Sequence, residues 1–346
     1  MSVLVSEVPA LRDYFYPVAY GADLTVEPRR VELFGQGYAI WRPSPGWPAE
    51  AAADECPHRG ARLSQGWLAD GCVVCPYHGW RFEAGGACTL IPQNDPSLPI
   101  PPRARLLTAH CEERYGLVWL CIGTPRAGVP DFPHAGDADY VLRHEFLEEW
   151  AASAPRVVDN SLDISHVAWV HRGTVGDPEF PMLPPFEVER HRHGLRFHLT
   201  YVSKVSAAQK ANLGMDVDYA ERSTFVDLVQ PLCFTAILRY ANGVEHVLYK
   251  GASPIDDHRS LFWQLVARND APDEARWATI VGMDRAVTGE DRPILEGIPA
   301  DFPLQTTTEV HTRSDRMTVE YRRLLGELAS ESGLPIRPDR LWSRTA

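Results

Sequence analysis

Two short loops gather the residues best suited to hold a metal. The first reads Cys56-Pro57-His58-Arg59-Gly60 and the second Cys75-Pro76-Tyr77-His78-Gly79-Trp80. Each offers one sulfur and one imidazole nitrogen. Two soft thiolates and two neutral imidazoles on opposed loops suit a [2Fe–2S] cluster in which a pair of histidines replaces two cysteines on one iron, a substitution that raises the reduction potential. A structural zinc site would use the same four donor atoms, but its usual spacing pairs Cys-x2–4-Cys with His-x3–5-His. Here the order is Cys-x-His, then Cys-x2-His. Proline after each cysteine, and glycine one or two residues after each histidine, fit tight loops whose N–H groups can point at cluster sulfurs.

A second constellation lies in RVVDNSLDISHVAWVHR, which carries Asn160, Asp163, His166 and His171. On one continuous helix, at about 100° per residue, these four fall within an arc of roughly 140° and face one cavity. Two imidazoles and one distant carboxylate form the facial triad of non-haem Fe(II) oxygenases, which leaves positions open for O₂ and substrate. A His-x4-His pair by itself is more often satisfied by hydrogen bonds. The carboxylate must come from downstream, where TGEDRPILEG offers Glu290 and Asp291. Asp284, seven residues before Asp291, would share a helix face with it and with Trp277 and Ile280.

Taken together, the residues reach a family. Cys-x-His, sixteen residues, then Cys-x2-His closely resembles the Rieske iron–sulfur motif, and Asn-x2-Asp-x2-His-x4-His is similar to the mononuclear-iron motif of the Rieske non-haem iron oxygenases, large subunit. The resemblance covers nearly the whole chain in the right order. It implies a [2Fe–2S] cluster on Cys56, His58, Cys75 and His78, and a mononuclear Fe(II) on His166, His171 and Asp291, with Asp284 as the reserve third ligand. It also implies catalytic roles for Asn160 and Asp163. In the family the aspartate matching Asp163 is no ligand; it hydrogen-bonds an iron histidine and a Rieske histidine of the neighbouring subunit, and so bridges the electron path. That arrangement implies a ring, usually a homotrimer.

The chain has no Gly-x-Gly-x2-Gly turn and no plant-type ferredoxin spacing, so NAD(P)H and flavin chemistry is expected on a separate reductase, with or without a ferredoxin. The compact length resembles oxygenases that hydroxylate or oxidatively demethylate a small hydrophobic aromatic, with monooxygenation favoured. One alternative is an aromatic-ring cis-dihydroxylating dioxygenase. The other is a non-catalytic electron-transfer or ligand-sensing protein, which leaves the second histidine pair and the distal acidic pair without a purpose.

The elements that must position these groups are legible in outline. Residues 14–18 and 31–41 read as two alternating segments of a β-hairpin around a Gly-containing turn, and Leu117 to Ile122 as a further strand. Residues 10 to 125 thus suggest a small all-β domain with metal-carrying loops and no helix of normal length. The run TPRAGVPDFPHAGDAD marks a boundary, giving a Rieske domain over 1–125 and a catalytic domain over 126–346. Beyond the helix at 156–171, strands are expected near 195–203, 222–230, 234–241, 245–250 and 260–268, then helices over Ala275–Val287 and about Asp315–Ser330. An antiparallel sheet flanked by helices makes a helix-grip-like α+β domain able to enclose a ligand. Leu162, Val167, Phe234, His246, Trp263 and Met283 lie on elements that could line its pocket, which is expected to be apolar with few polar handles.

Composition narrows the partners. The 346 residues are 45% hydrophobic and carry a formal charge of −12, with a pI near 5.5, which disfavours nucleic acid and other polyanions. No signal peptide is legible at the N-terminus, and no stretch approaches the ~20 apolar residues of a membrane span. Of seven cysteines, Cys72, Cys88, Cys111, Cys121 and Cys233 lie outside the motif without framework spacing, so reduced thiols and a cytoplasmic location are expected. Cys72 could pair with Cys75 as a redox Cys-x2-Cys, but Cys75 is committed to the cluster motif, which leaves Cys72 as a small apolar residue.

Overall fold

The structure, a computed structural model, describes residues 2–331 apart from 26, 193 and 271, together with 333. The expected catalytic domain's last stretch, 334–346, lies outside the described residues. The chain divides into two compact units, one over Arg12–Val129 and the other joining the segment up to Leu11 to the chain from Pro130 onward. This differs from a break at 125/126. The Asp13 carboxylate accepts from Thr124 N at 2.9 Å and from Arg126 Nε at 3.1 Å, and Val129 O accepts from Arg114 at 3.0 Å, so residues 123–129 stay tied to the first unit. At the other end, Ser2–Val3 pairs with Phe302–Pro303 and Ser6 bonds the Asp257 carboxylate, which draws the start of the chain into the second unit.

The first unit is built from three small antiparallel sheets, with no α-helix among its described residues. Three hairpins turn on two-residue loops, Phe34-Gly35, Asp70-Gly71 and Tyr115-Gly116, and all six residues have positive φ. That is the twist-matched turn hairpins prefer, and glycine at the second position lowers its cost. The expected pairing of 14–18 with 31–41 does not form. Arg29–Leu33 folds back on Gln36–Trp41 through the Phe34-Gly35 turn, whereas Tyr16–Tyr20 pairs with Leu117–Cys121. Trp41, Leu63, Val73 and Phe82 fill the core beneath the metal-binding loops, together with the side chains of Cys56 and Cys75.

The second unit is a seven-stranded antiparallel sheet. Its order is Val141–Trp150, Ser260–Arg268, Glu245–Pro254, Cys233–Tyr240, Tyr219–Gln230, Gly194–Lys204, Val188–His191. Five of these strands match the sequence expectation. The two outer ones were not anticipated, because the apolar residues of VLRHEFLEEW come in adjacent pairs rather than alternating, and VERH has only one. Among the described residues five α-helices accompany the sheet: α1 Ala154–Leu162, α2 Val167–Val170, α3 Ala207–Leu213, α4 Glu274–Leu295 and α5 Arg316–Glu331. α4 starts on Asp273, whose carboxylate accepts the Arg276 N–H at 2.8 Å, and buries Trp277 and Ile280 against Val266 of the sheet. It runs well past Val287. No described helix is long and apolar enough to cross a membrane.

The expected single helix over 156–171 is two. α1 ends at Asp163, whose backbone is extended at φ −80 and ψ 128. Its carboxylate accepts the Ser165 N–H and hydroxyl at 2.8 and 2.5 Å and the His166 N–H at 3.3 Å. An aspartate that satisfies backbone donors ahead of it competes with helix continuation, and so ends one helix and caps the next turn.

Candidate metal centres and the substrate cavity

In the first unit the two metal-binding loops close in the same way. Gly60 N donates to Cys56 O at 2.9 Å, and Gly79 N to Cys75 O at 3.0 Å. Both glycines have positive φ, +72° and +70°, a conformation that costs them little. Cys56 and Cys75 are buried, and burial, reinforced by the neighbouring Cys75, pushes the Cys56 thiol up to about 12. The rings of His58 and His78 lie with centroids 4.6 Å apart, and Trp80 stacks on His58 at 4.6 Å. Nδ1 of both histidines is buried without a hydrogen-bond partner. Two buried sulfurs and two orphaned nitrogens on matched loops fit a cluster held by Cys56, Cys75, His58 and His78.

In the second unit, the break at Asp163 and the short α2 bring His166 and His171 together. Their Nε2 atoms are 3.2 Å apart, and each lies 3.5 Å from Asp291 Oδ1 on α4. Donors at about 2.1 Å and right angles around a metal would be about 3 Å apart, so this triangle fits a face of an octahedral site. Asp291 Oδ1 is buried without a hydrogen bond. Each histidine is steadied from behind. His171 Nδ1 lies 2.9 Å from Glu290 Oε2, which also accepts the Thr174 hydroxyl at 2.8 Å, while Asp163 Oδ2 lies 3.5 Å from His166 Nδ1. The Glu290 contact sets the tautomer that leaves His171 Nε2 free for a metal, whereas His166 Nδ1 is buried beside Asp163 without a hydrogen bond. Burial pushes the His171 pKa down, which favours the neutral ligand form. Burial opposes the charge on Asp163, but hydrogen bonds from His166 and Ser165 hold its carboxyl below the ordinary range. Behind His171 the chain turns at Gly176, where a Cβ would meet Val167 O at 2.0 Å.

Asp284 goes elsewhere. Its Oδ2 is 3.0 Å from His246 Nε2, whose Nδ1 accepts from Arg268 at 3.3 Å. Glu145 adjoins the same carboxylate. Burial, with the Asp284 charge next, raises Glu145 well above the carboxylate range, so Glu145 holds the proton, and His246 helps hold Asp284 ionised against its burial.

The triad opens on a cavity of about 170 Å³ between sheet and helices. Asn160, Val167, Phe234, His246 and Met283 line it; Leu162 and Trp263 are each 1% exposed and belong to the core. Trp263 points away because strand alternation puts Gln264 and Trp263 on opposite sides. The lining is mainly apolar as expected, but the expectation of few polar handles is corrected, since Arg222, Lys250, Arg268 and Gln209 stand in the wall. Arg222 and Lys250 went unnoticed in the sequence because a charge at every second or third strand position usually faces water. The available signal was their spacing: Arg222, Thr224 and Val226 repeat with period two on the buried face of one strand.

Comparison with known proteins places these features in a family. Residues 14–109 match the Rieske [2Fe-2S] domain, and residues 150–331 match the vanillate O-demethylase oxygenase C-terminal domain. A methylxanthine N1-demethylase of Pseudomonas putida is 29% identical over 94% of this chain and 92% of its own length. The methylxanthine N3-demethylase of that organism is 31% identical over 81% and 77%. The structure of Pseudomonas putida CBB5 NdmA with caffeine superposes with a TM-score of 0.81 at 28% identity, covering 95% of this chain and 94% of that one.

The chain belongs to the Rieske non-haem iron oxygenases with a catalytic domain of the vanillate O-demethylase type. It is accordingly an oxygenase component of the monooxygenase and demethylase kind, carrying a Rieske cluster and a mononuclear iron and receiving electrons from a separate donor.

Proposed function

We propose that this chain, as a homotrimer in the cytoplasm, hydroxylates or oxidatively demethylates a single-ring aromatic molecule held in the cavity beside His166, His171 and Asp291. The observation that carries the reading is the convergence of those three donors on a cavity of about 170 Å³. An apolar cavity of about 150 Å³ holds benzene, so one ring with small substituents is the natural occupant. Two relatives of more than a quarter identity are N-demethylases by name, which supports removal of a methyl group.

Each residue has a role in this reading. Cys56, His58, Cys75 and His78 hold the [2Fe–2S] cluster, and His166, His171 and Asp291 hold Fe(II). The iron, when bound, supplies the activation of O₂. Glu290 keeps the His171 proton on Nδ1. Asp163 stands 3.5 Å from His166 Nδ1 and presents its outer edge, with the side chain 25% exposed, to a cluster histidine of a neighbouring subunit. Asn160 borders the cavity on the same wall. Val167, Phe234, Leu248 and Met283 exclude water from the ring and orient its edge. Outside the cluster loops, Cys72, Cys88, Cys111, Cys121 and Cys233 are unbridged thiols, which suits a reducing compartment.

Anaerobically reconstituted protein, supplied with a reductase and a panel of methoxy- and methyl-substituted aromatics under ¹⁸O₂, tests this. The expected result is label from one oxygen atom in the hydroxylated product or in the released formaldehyde. A colourless protein holding only zinc, or two labelled atoms in one cis-diol, would overturn it.

A further inference from the structure

Besides the donor histidines His166 and His171, four side chains that are or can become cationic line the catalytic cavity: Arg222, His246, Lys250 and Arg268. Three are already answered by negative charge. Arg268 bonds the Asp270 carboxylate at 2.7 and 2.9 Å, and His246 faces Asp284 at 3.0 Å. Lys250 sits in the field of Asp291 and Asp284, with its ammonium 5.4 Å from the Phe234 ring centroid.

Arg222 differs. It is 6% exposed, bonds no carboxylate, and its Nε has no hydrogen-bond partner. Its one described contact is the Tyr201 ring, 4.8 Å from the guanidinium carbon. Two further buried groups beside it are also unsatisfied, Tyr201 Oη and Thr224 Oγ1. These groups adjoin one another by register. Tyr201 lies directly opposite Arg222 on the neighbouring strand, and Thr224 is the next residue on the same face of Arg222's own strand. Opposed residues stand about 5 Å apart and same-face neighbours about 7 Å, so three donors share one patch. Asp284 belongs to the far side of the cavity: its partner His246 is on a strand two removed from Thr224, with Leu238 between them in register.

Burying a guanidinium without an anion is costly, and leaving two hydroxyls unpaired beside it adds to that cost. A planar oxyanion would satisfy all three, since a guanidinium binds such a group through two parallel N–H donors. We propose that Arg222, Thr224 and Tyr201 form the anchor for an oxyanion on the substrate, which is therefore an aromatic acid held at this end with its reacting edge toward the His166, His171 and Asp291 donors. This rests on the aromatic-oxygenase reading of the same cavity.

The test is isothermal titration of the iron-loaded full chain with 4-methoxybenzoate, 4-methoxybenzenesulfonate and the neutral 4-methoxybenzamide. Wild type should bind the better of the two acids at least tenfold tighter than the amide, and which acid leads identifies carboxylate or sulfonate. Arg222→Gln should lose that preference while keeping its affinity for the amide, and Arg222→Lys should fall between. If Arg222→Gln does not fold, Arg222→Lys and Thr224→Val carry the same comparison, each with a several-fold loss confined to the acids. Equal binding of acid and amide by wild type, or an unchanged preference in the variants, would sink the anchor and leave the aromatic reading standing. Tight binding of hexanoate with no binding of any aromatic would keep the anchor and sink the aromatic reading. Failure of every probe would sink both.

Discussion

Glu290 Oε2 sits 2.9 Å from His171 Nδ1, so the residue just before one donor, Asp291, orients another donor of the same site. One turn of α4 thereby supplies both a candidate ligand and the support of its neighbour. Outer partners of ligating histidines are commonly worth about 10–100-fold in metal affinity. Glu290→Ala should therefore lose mononuclear iron to a competing chelator at roughly 10–100-fold lower concentration than wild type. Glu290→Gln, which can still accept the Nδ1 proton, should lose less. Equal chelator resistance in all three proteins would show that Glu290 does not support the site.

Asp291 and Asp284 make contrasting predictions. Asp291→Ala should lower the iron content from about three to about two per chain while leaving the visible spectrum of the cluster unchanged. Asp284→Asn, which disturbs only the His246 and Glu145 contacts, should keep about three. The reverse pattern would move the third ligand to Asp284.

For Asp163, the bridging role predicts a loss of turnover without loss of either metal. Asp163→Asn retains one carbonyl oxygen, which can keep the Ser165 N–H and hydroxyl bonds that fall on Oδ1 and gives up only the longer 3.3 Å bond from His166 N on Oδ2, so the break between α1 and α2 should survive. Turnover with a reductase should nevertheless fall at least tenfold, and single-turnover reduction of the cluster should proceed normally. Normal turnover in this variant would remove the bridge.

A pH dependence follows from Glu145. Its folded pKa is raised above its unfolded value near 4.5, chiefly by burial. The folded state therefore holds a proton that the unfolded state releases, and the associated stability is complete below about pH 4.5 and lost as pH rises from there towards the raised folded pKa, at up to about 1.4 kcal/mol per pH unit. Glu145→Gln should flatten the fall in urea midpoint as pH rises above about 5. Parallel curves for variant and wild type would contradict the assignment of the proton to Glu145.

Stability should also depend on Arg322, which is buried on α5 and grips both oxygens of Asp159 on α1 at 2.6 and 3.0 Å and Glu309 at 2.7 Å. Removing one partner of a buried ionic cluster strands the others. Arg322→Met should cost about 3–5 kcal/mol in denaturant unfolding, well beyond the effect of the exposed pair between Arg29 and Asp23. A loss under 1 kcal/mol would show that α1 is not held by this clamp.

How much could be read from the chain alone depended on the range of the interaction. The loops Cys56–Gly60 and Cys75–Trp80 announce themselves because donor spacing within a few residues already restricts what they can bind. The stretch Leu195–Tyr201 alternates apolar and polar residues, and the long α4 showed helical spacing of Trp277, Ile280 and Val281. The break at Asp163 did not show, since an aspartate in a helical pattern reads equally as a solvated charge or as a cap. Which it becomes depends on Ser165 and His166 folding back to meet its oxygens.

Residue types and local spacing by themselves determined that this protein carries two sets of metal donors, one of paired Cys and His and one built on a histidine pair, within a β-rich first unit and an α+β second. Only the tertiary structure decided which distant carboxylate joins His166 and His171, because Asp284 and Asp291 share one helix face and no periodicity separates them. It likewise decided that Arg222 faces inward unpaired while Arg268 faces inward paired. The physical reason is the same in both cases: the identity of a side chain's partner is set by what stands across the cavity, on chain segments tens to more than a hundred residues away, and sequence spacing carries no record of that distance.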